Sequence, residues 1–317
     1  MKPFNGTNKI KMNVLITGGA GFIGSHLIKK LINFCENIVV LVKDKENINR
    51  LEQIKNRLII YDLKTPLNEI FNHHKIDVVI HLATYYKKSH TNEDVKEMFQ
   101  TNVIFPILIL EEMLKNNVKH FINTGTFFEY ALNNSESISE ESKKEPYNLY
   151  ACTKLNFEEI LKYYSKKYGL KVVNLKLFSP YGPDDNEKLI VFLIKSLIER
   201  ESVEISKGEQ KLNWTYIKDV VNAYVKSIEY IFKMENNFES FNICSEDVVS
   251  IKEIVIILEE ISGEVGLINC SKDYAPDEIM YAKGDNSKAK KLLGWFSFFN
   301  IRKGLKETFE FYNKNGI

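Results

Sequence analysis

Apolar residues fall along this chain in two alternating rhythms. Short runs rich in β-branched residues at 14–17, 38–42, 58–60, 78–81, 121–124 and 172–177 predict strands. Between them apolar positions recur at helical spacing, as in Ile23, Leu27 and Leu31, or Ile160, Leu161 and Tyr164. The strand runs are apolar throughout, so both faces of their sheet must be covered. This strand–helix alternation predicts an α/β fold, a doubly wound parallel sheet over 12–177.

Beyond Phe178 the rhythm loosens, through the turn signals of SPYGPDD, a helix near 189–198 and the segment WTYIKDVVNAYVKSIEYIF. From 250 onward the pattern reads as helices plus one short strand. Residues 178–210 and 246–317 are therefore expected to form a smaller C-terminal α/β substrate lobe, with 211–245 returning to the sheet. Residues 1–11 lack the apolar stretch of a signal peptide and read as a poorly ordered extension. The segment VIFPILILEEML, from Val103, is apolar around almost its whole circumference. A helix wet on one side would carry a polar stripe there. It is either fully internal or packed on a second copy, and a homodimer is the expectation carried forward.

Lys and Arg number 43 against 42 Asp and Glu, a net charge of +1, which gives no overall field to recruit nucleic acid. No apolar run is long enough to span a bilayer, so no membrane partner is expected and the cytoplasm is the expected compartment. The four cysteines, Cys35, Cys152, Cys244 and Cys270, are scattered without CxxC or zinc-like spacing, so no metal is expected. Only four arginines occur (Arg50, Arg57, Arg200 and Arg302), which matters because arginine is the better bidentate clamp for phosphate.

The run TGGAGFIG follows the first strand and opens a helix. Gly18 allows the tight turn, Gly21 lets backbone approach a pyrophosphate and Gly24 lets helix pack on strand. The helix N-terminus adds partial positive charge near Phe22 and Ile23. The chain is thus expected to bind a dinucleotide in a Rossmann-type domain. Cofactor choice is read at the end of the second strand, in IVVLVKDKEN. Val42 or Lys43 occupies the position where an NAD site wants an acid, which favours NADP(H) through Lys43. A register one residue later gives the role to Asp44 and makes NAD(H) the alternative. Asp62 and Leu63, after the third strand, are placed beside the adenine.

Tyr150 and Lys154 lie at i and i+4 in NLYACTKLNFEEI and share one helical face. A free phenol has a pKa of about 10, too high for easy proton exchange at neutral pH. A neighbouring ammonium and a positive nicotinamide favour the phenolate. Thr124 and Thr126, at the end of a strand, offer a hydroxyl to a substrate oxygen. A surface helix that merely carries a Tyr and a Lys is the plainer alternative.

With TGGAGFIGSHL, HLAT, TNV, NTGTFFEY, YACTK, SPYGPDD, WTYIKDVVNAYV, FNIC and DNSKAKKLLGW together, the chain resembles the extended short-chain dehydrogenases/reductases of the nucleotide-sugar-modifying type. The resemblance runs from about Asn13 to the C-terminus. HLATYY, NTGTFF and DEIMYAKGDNSKAKKLLGW look most similar to the NDP-4-keto-6-deoxyhexose 4-reductases related to CDP-abequose synthase. It implies Thr126, Tyr150 and Lys154 as the catalytic set. Leu82, Ala83, Thr84 and Phe178, with Tyr150 and Lys154 again, join the cofactor site, while Thr84, Tyr85, Phe127, Phe128, Ser179, Lys211 and Trp214 face a nucleotide-diphospho-sugar. It further implies a place in surface-polysaccharide sugar synthesis.

Two departures shape the functional expectation. Dehydratases of the family carry an Asp-Glu pair directly after the catalytic Thr, where this chain has Phe127 and Phe128. Two phenyl rings cannot do acid–base work, so elimination of water is not expected. Lys211 stands where many relatives place a phosphate-binding arginine, and can be a point contact or a solvated lysine. Trp214, Tyr216 and Tyr181 can stack on a base or simply pack. The leading expectation is an NADPH-dependent 4-ketoreductase; an NAD-dependent NDP-sugar 4-epimerase is the alternative. A cofactor-sensing protein without chemistry would be expected to have lost Tyr150 or Lys154, and both are present.

Overall fold

The structure, a computed structural model, describes residues 10–132 and 136–315. Its centre is a seven-stranded sheet. In chain order the strands are β1 (Ile10–Thr17), β2 (Cys35–Val42), β3 (Ile59–Asp62), β4 (Val78–His81), β5 (His120–Thr126), β6 (Lys171–Leu177) and a last strand, Phe238–Ile243. They lie in the order Phe238–Ile243, β6, β5, β4, β1, β2, β3, and every pairing is parallel. The expected Rossmann-type sheet is present. The chain winds outward from β1 to β3 and then crosses back to β4. That reversal opens a crevice beyond the carboxyl ends of β1 and β4, where such sheets bind ligands.

Alternate strand positions feed two separate cores. Val14, Ile16, Val40, Val78 and Ile80 pack towards α1 (Phe22–Leu31) on one face. Leu15, Val39, Val79 and Phe121 face Ile109 and Met113 on the other. Neither face is wet, which is why these strands read as unbroken apolar runs. β1 starts at Ile10, which pairs with Cys35 across an irregularity before Asn13. The expected extension therefore loses Ile10 and Lys11 to β1, because the neighbouring strand starts early enough for Cys35 to pair with Ile10; residues 1–9 lie outside the described residues.

The helix expected near Val103 begins earlier, as α2 (Leu67–His73) is followed by α3 (Asn92–Phe99), capped reciprocally by Thr91 and Asp94. A π-helical turn, Gln100–Ile104, joins α3 to α4 (Phe105–Lys115). Ile104 and Leu108 remain 45% and 48% exposed, so the helix is not internal to this chain.

Then come α5 (Leu149–Tyr168), α6 (Leu189–Glu199), α7 (Ile217–Ile231), α8 (Ile251–Ser262) and α9 (Ile301–Asn315). Beyond β6 the structure has more strand than the one expected: Val203–Ser206 pairs with Ile268–Lys272, and Lys211–Asn213 lies between Val248–Ser250 and Tyr281–Ala282. Most of these strands are two to four residues long, too short for a period of two to show in the sequence.

Two quoted motifs meet at Asp219. This residue, on α7 and 2% exposed, accepts hydrogen bonds from the backbone N–H of Phe298 (3.1 Å) and Phe299 (3.0 Å) and from Ser297 Oγ (3.1 Å). Its carbonyl accepts from Trp295 Nε1 at 2.9 Å. Removing the carboxylate strands three part-buried donors, and a fully buried donor left unpaired costs about 1–3 kcal/mol. Asp219→Ala should lower stability by about 3 kcal/mol in urea unfolding, whereas Asp219→Asn, which keeps an acceptor, should lose about 1 kcal/mol.

Candidate active site

The crevice is lined first by the glycine turn. Gly18 has φ +68°, and its N–H donates to the Leu41 carbonyl at 3.0 Å. A Cβ there would stand 2.6 Å from the Ala83 nitrogen, and one on Gly24 2.4 Å from the Gly18 oxygen. Both positions exclude any side chain. α1 is capped by Gly21 with no side-chain bond, so the first-turn amides at Phe22, Ile23 and Gly24 have no side-chain acceptor. Such an N-terminus suits an anion. Thr17 Oγ1 accepts from the N–H groups of Leu82 and Ala83, both at 3.2 Å, and lies 2.8 Å from His81 Nδ1. The end of β1 thus fixes the loop after β4 beside the glycine turn. These features fit a dinucleotide.

At the end of β2, Val42 is buried and Lys43 is exposed, its ammonium 3.3 Å from Glu97. The Asp44 carboxylate accepts the Glu46 N–H at 3.0 Å and so closes its own turn. Asp62 does the same for Lys64 at 3.0 Å, and Leu63 is 52% exposed.

Tyr150 and Lys154 stand in the first turns of α5, which begins where Asn148 Oδ1 accepts the Ala151 N–H at 2.9 Å. Both side chains are buried, and Lys154 Nζ lies 5.9 Å from the Tyr150 ring centre. Burial pulls the Lys154 ammonium down to about 8, against the carboxylate of Glu129, which favours the charge. Burial also raises the Tyr150 phenol well above its ordinary value; a hydrogen bond with Thr84 works the other way. Tyr86 stacks edge-on against Tyr150 at 4.9 Å.

Of the two strand-end threonines, Thr124 is engaged: it donates to the His81 carbonyl (2.9 Å) and meets the Tyr224 hydroxyl (2.7 Å). Thr126 Oγ1 accepts from the Phe128 N–H at 3.3 Å, and its own proton has no protein acceptor among the described residues. Phe127 turns inward to stack on Phe178 at 5.1 Å, while Phe128 stays half-buried beside Tyr147 at 5.5 Å.

The profile of the NAD dependent epimerase/dehydratase family matches residues 14–244. The chain belongs to this family. It is 28% identical over 306 residues to the CDP-abequose synthase of Salmonella typhimurium, covering 94% of this chain and 97% of that one. Among solved structures it resembles the UDP-glucose 4-epimerase of Thermotoga maritima, with UDP-glucose (TM-score 0.85, 27% identity, 96% of this chain and 99% of that one). It also resembles the UDP-glucuronic acid 4-epimerase of Bacillus cereus, a point mutant with a fluorinated sugar nucleotide and NAD (TM-score 0.86, 26% identity, 95% and 98%).

In this member of the family the remaining expected residues scatter. Tyr85 turns its hydroxyl to Asp94 at 2.5 Å. Ser179 sits in a turn at φ +33°, its carbonyl accepting the Thr215 N–H at 3.2 Å. Lys211 is exposed. Trp214 donates to the Val249 carbonyl (3.2 Å) and lines a cavity of about 190 Å³ with Phe298 and Phe299, which no residue of the Tyr150 cluster lines.

Asn102, Tyr86, Tyr224 and the buried ions behind Thr126 were not picked out from the sequence as site residues. Asn102 lies in the π-helical turn, whose extra residue turns its amide towards the loop after β4. It accepts from Tyr85 N (2.8 Å) and Thr84 Oγ1 (3.2 Å), and donates to Tyr85 O and Thr153 Oγ1, both at 3.0 Å. The TNV motif was the available signal for it; Tyr224 lies within WTYIKDVVNAYV, where its helical spacing marks it as core and not as a site residue.

Proposed function

We propose that this member of the family is an NADPH-dependent reductase of the C4 ketone of a nucleotide-diphospho-4-keto-6-deoxyhexose. The observation that carries this reading is the wall after Thr126, where Phe127 and Phe128 replace any acid–base pair and the next residue, Glu129, is buried. The site therefore has a proton donor and an oxygen anchor but no second acid–base pair for elimination. CDP-abequose synthase, a full-length relative, supports the sugar class.

When bound, the nicotinamide cofactor would supply the hydride. The glycine turn and α1 would hold its pyrophosphate, Asp62 and Leu63 would flank the adenine, and Lys43 would meet a 2′-phosphate. Leu82, Ala83, Thr84 and Phe178 complete the cofactor contacts in this reading. Thr126 would donate to the ketone oxygen and Tyr150 would protonate it as negative charge develops. Lys154 would keep Tyr150 competent as a donor and relieve the phenolate left behind. Tyr85, Phe128, Ser179, Lys211 and Trp214 remain proposed sugar-nucleotide contacts, with 178–210 and 246–317 as the substrate lobe.

A 4-epimerase is the second reading, favoured by the two solved epimerases of the same fold. Against it stands Lys43, exposed directly after β2 where an NAD site wants an acid. No helix among the described residues is long and apolar enough to cross a membrane, and no metal-binding group occurs among them. The apolar surface at Ile104 and Leu108 suits a second copy, so we read the chain as a homodimer.

Tyr150→Phe should lower kcat by about 10²–10⁴-fold in steady-state turnover while leaving cofactor affinity unchanged. Near-normal turnover would overturn the mechanism. The pH dependence has a definite sign. Lys154 is charged below about 8 and loses its proton above it. The plateau of kcat/KM should therefore extend up to about pH 8 and fall beyond, because kcat/KM reports groups of the free enzyme.

A further inference from the structure

Directly behind Thr126 lies a group of buried ions that the mechanism above does not use. Glu129, in the single turn after β5, is 0% exposed. One carboxylate oxygen accepts the Thr126 N–H at 2.7 Å, and the other meets the ammonium of Lys176, on β6 and also 0% exposed. Lys176 bridges onward to Glu158, which stands one turn after Lys154 on α5. Tyr150, Lys154 and Glu158 are spaced i, i+4 and i+8, so one face of α5 carries the phenol, the ammonium and a carboxylate in succession. The far end of the chain is Lys162, 3.0 Å from Glu158 and half exposed.

A buried ion pair is poor evidence for stability, since apolar residues of similar volume commonly do as well. Charge count gives this one a different meaning. Glu158 is shared between Lys176 and the half-exposed Lys162, whereas Glu129 pairs with Lys176 alone, so the fully buried members are two carboxylates to one ammonium. Burial pushes the Glu129 carboxyl up, and the Lys176 ammonium opposes that. Among the described residues, Lys154 is the nearby buried cation without a carboxylate in contact. We propose that Glu129 is a positioning residue for the Tyr150–Lys154 pair: it fixes the backbone of Thr126 and supplies the buried negative charge that balances Lys154.

This rests on the roles given above to Thr126, Tyr150 and Lys154. Other groups surround the pair. Lys176 on β6, Lys162 on α5, and Lys144 with Tyr130, stacked at 3.5 Å, face the carboxylates. His81 on β4, Tyr86 and Tyr224 of α7 face Tyr150 and Lys154. His81 is neutral, because burial among Phe105, Phe121 and Phe157, and then Lys154, push it far down. It therefore adds no second buried cation beside Lys154. Glu129 disfavours the Tyr150 phenolate and favours the Lys154 ammonium, so removing its charge makes both groups more acidic.

The test is an alkaline titration of tyrosinate absorbance with oxidised nicotinamide dinucleotide bound, in wild type, Glu129→Gln and Glu158→Gln. Subtracting the same protein carrying Tyr150→Phe isolates one of the 16 tyrosines. Glu129→Gln keeps an acceptor for Thr126 and should move the Tyr150 transition, and the alkaline limb of kcat, down by roughly one pH unit. Glu158→Gln removes a carboxylate that Lys162 and Lys176 already share and should move both less than Glu129→Gln does. An unmoved transition in Glu129→Gln, with only turnover or stability reduced, would make Glu129 a packing staple and overturn the proposal. Were Glu129→Gln not to fold, Glu129→Asp, which keeps the charge, should leave the transition near its wild-type position, and a fall of about one pH unit there would overturn the proposal equally. A shifted transition alongside active Tyr150→Phe would instead leave the electrostatic coupling standing and remove the catalytic reading.

Discussion

Burying the Lys154 ammonium beside the Tyr150 phenol is the constraint around which the rest of the structure is arranged. A charge taken out of water is expensive unless partners compensate it. Here it lies on the first turns of α5, held at the crevice between β1 and β4 by the strand ends: Thr17 pairs with His81, and His81 with Asn123. β1 and β4 end level at Thr17 and His81, whereas β5 runs on from Asn123 to Thr126 beside β6, so the Thr126 turn reaches over the glycine turn and the Thr84 loop towards that helix. The buried carboxylates lie behind the same point.

Neighbouring groups narrow what this arrangement can do. Thr124, the nearer-looking hydroxyl by strand position, is engaged by His81 and Tyr224, which leaves Thr126 as the free donor. Asn102, turned inward by the π-helical segment, binds the loop that carries Thr84 to the helix that carries Tyr150. Phe127 backs onto Phe178 and closes the place where another member of the family could put an acid. The proposed reduction of a ketone would need one proton and one hydride, and Tyr150 is the buried hydroxyl that would give the proton.

The sheet and the glycine turn were legible because each depends on a local pattern: unbroken apolar strands, a helical spacing of apolar residues, and glycines where a Cβ would strike backbone. Tyr150 and Lys154 were legible for the same reason, four residues apart on one helix. Contacts between distant segments were not. The bond from Tyr224 to Thr124 spans 100 residues, and Lys176 reaches Glu129 across 47. No spacing rule connects such positions. The short strands beyond β6 escaped notice because two or three residues cannot display a period. The start of α3 escaped because polar Asn92–Glu97 hides a helix that is anchored by its cap and not by an apolar stripe. Glu158 was within reach, since it continues the Tyr150–Lys154 spacing by one more turn.

The central claim is that the site reduces a ketone with net consumption of cofactor. The direct measurement is NADPH oxidation by purified protein, with NADH in parallel, across CDP-, dTDP-, UDP- and GDP-4-keto-6-deoxyhexoses. The account predicts one NADPH oxidised for each 4-keto sugar reduced, faster than with NADH, for at least one nucleotide. Simple nucleotide hexoses interconverting at C4 with no net oxidation, and NAD carried through purification, would contradict it.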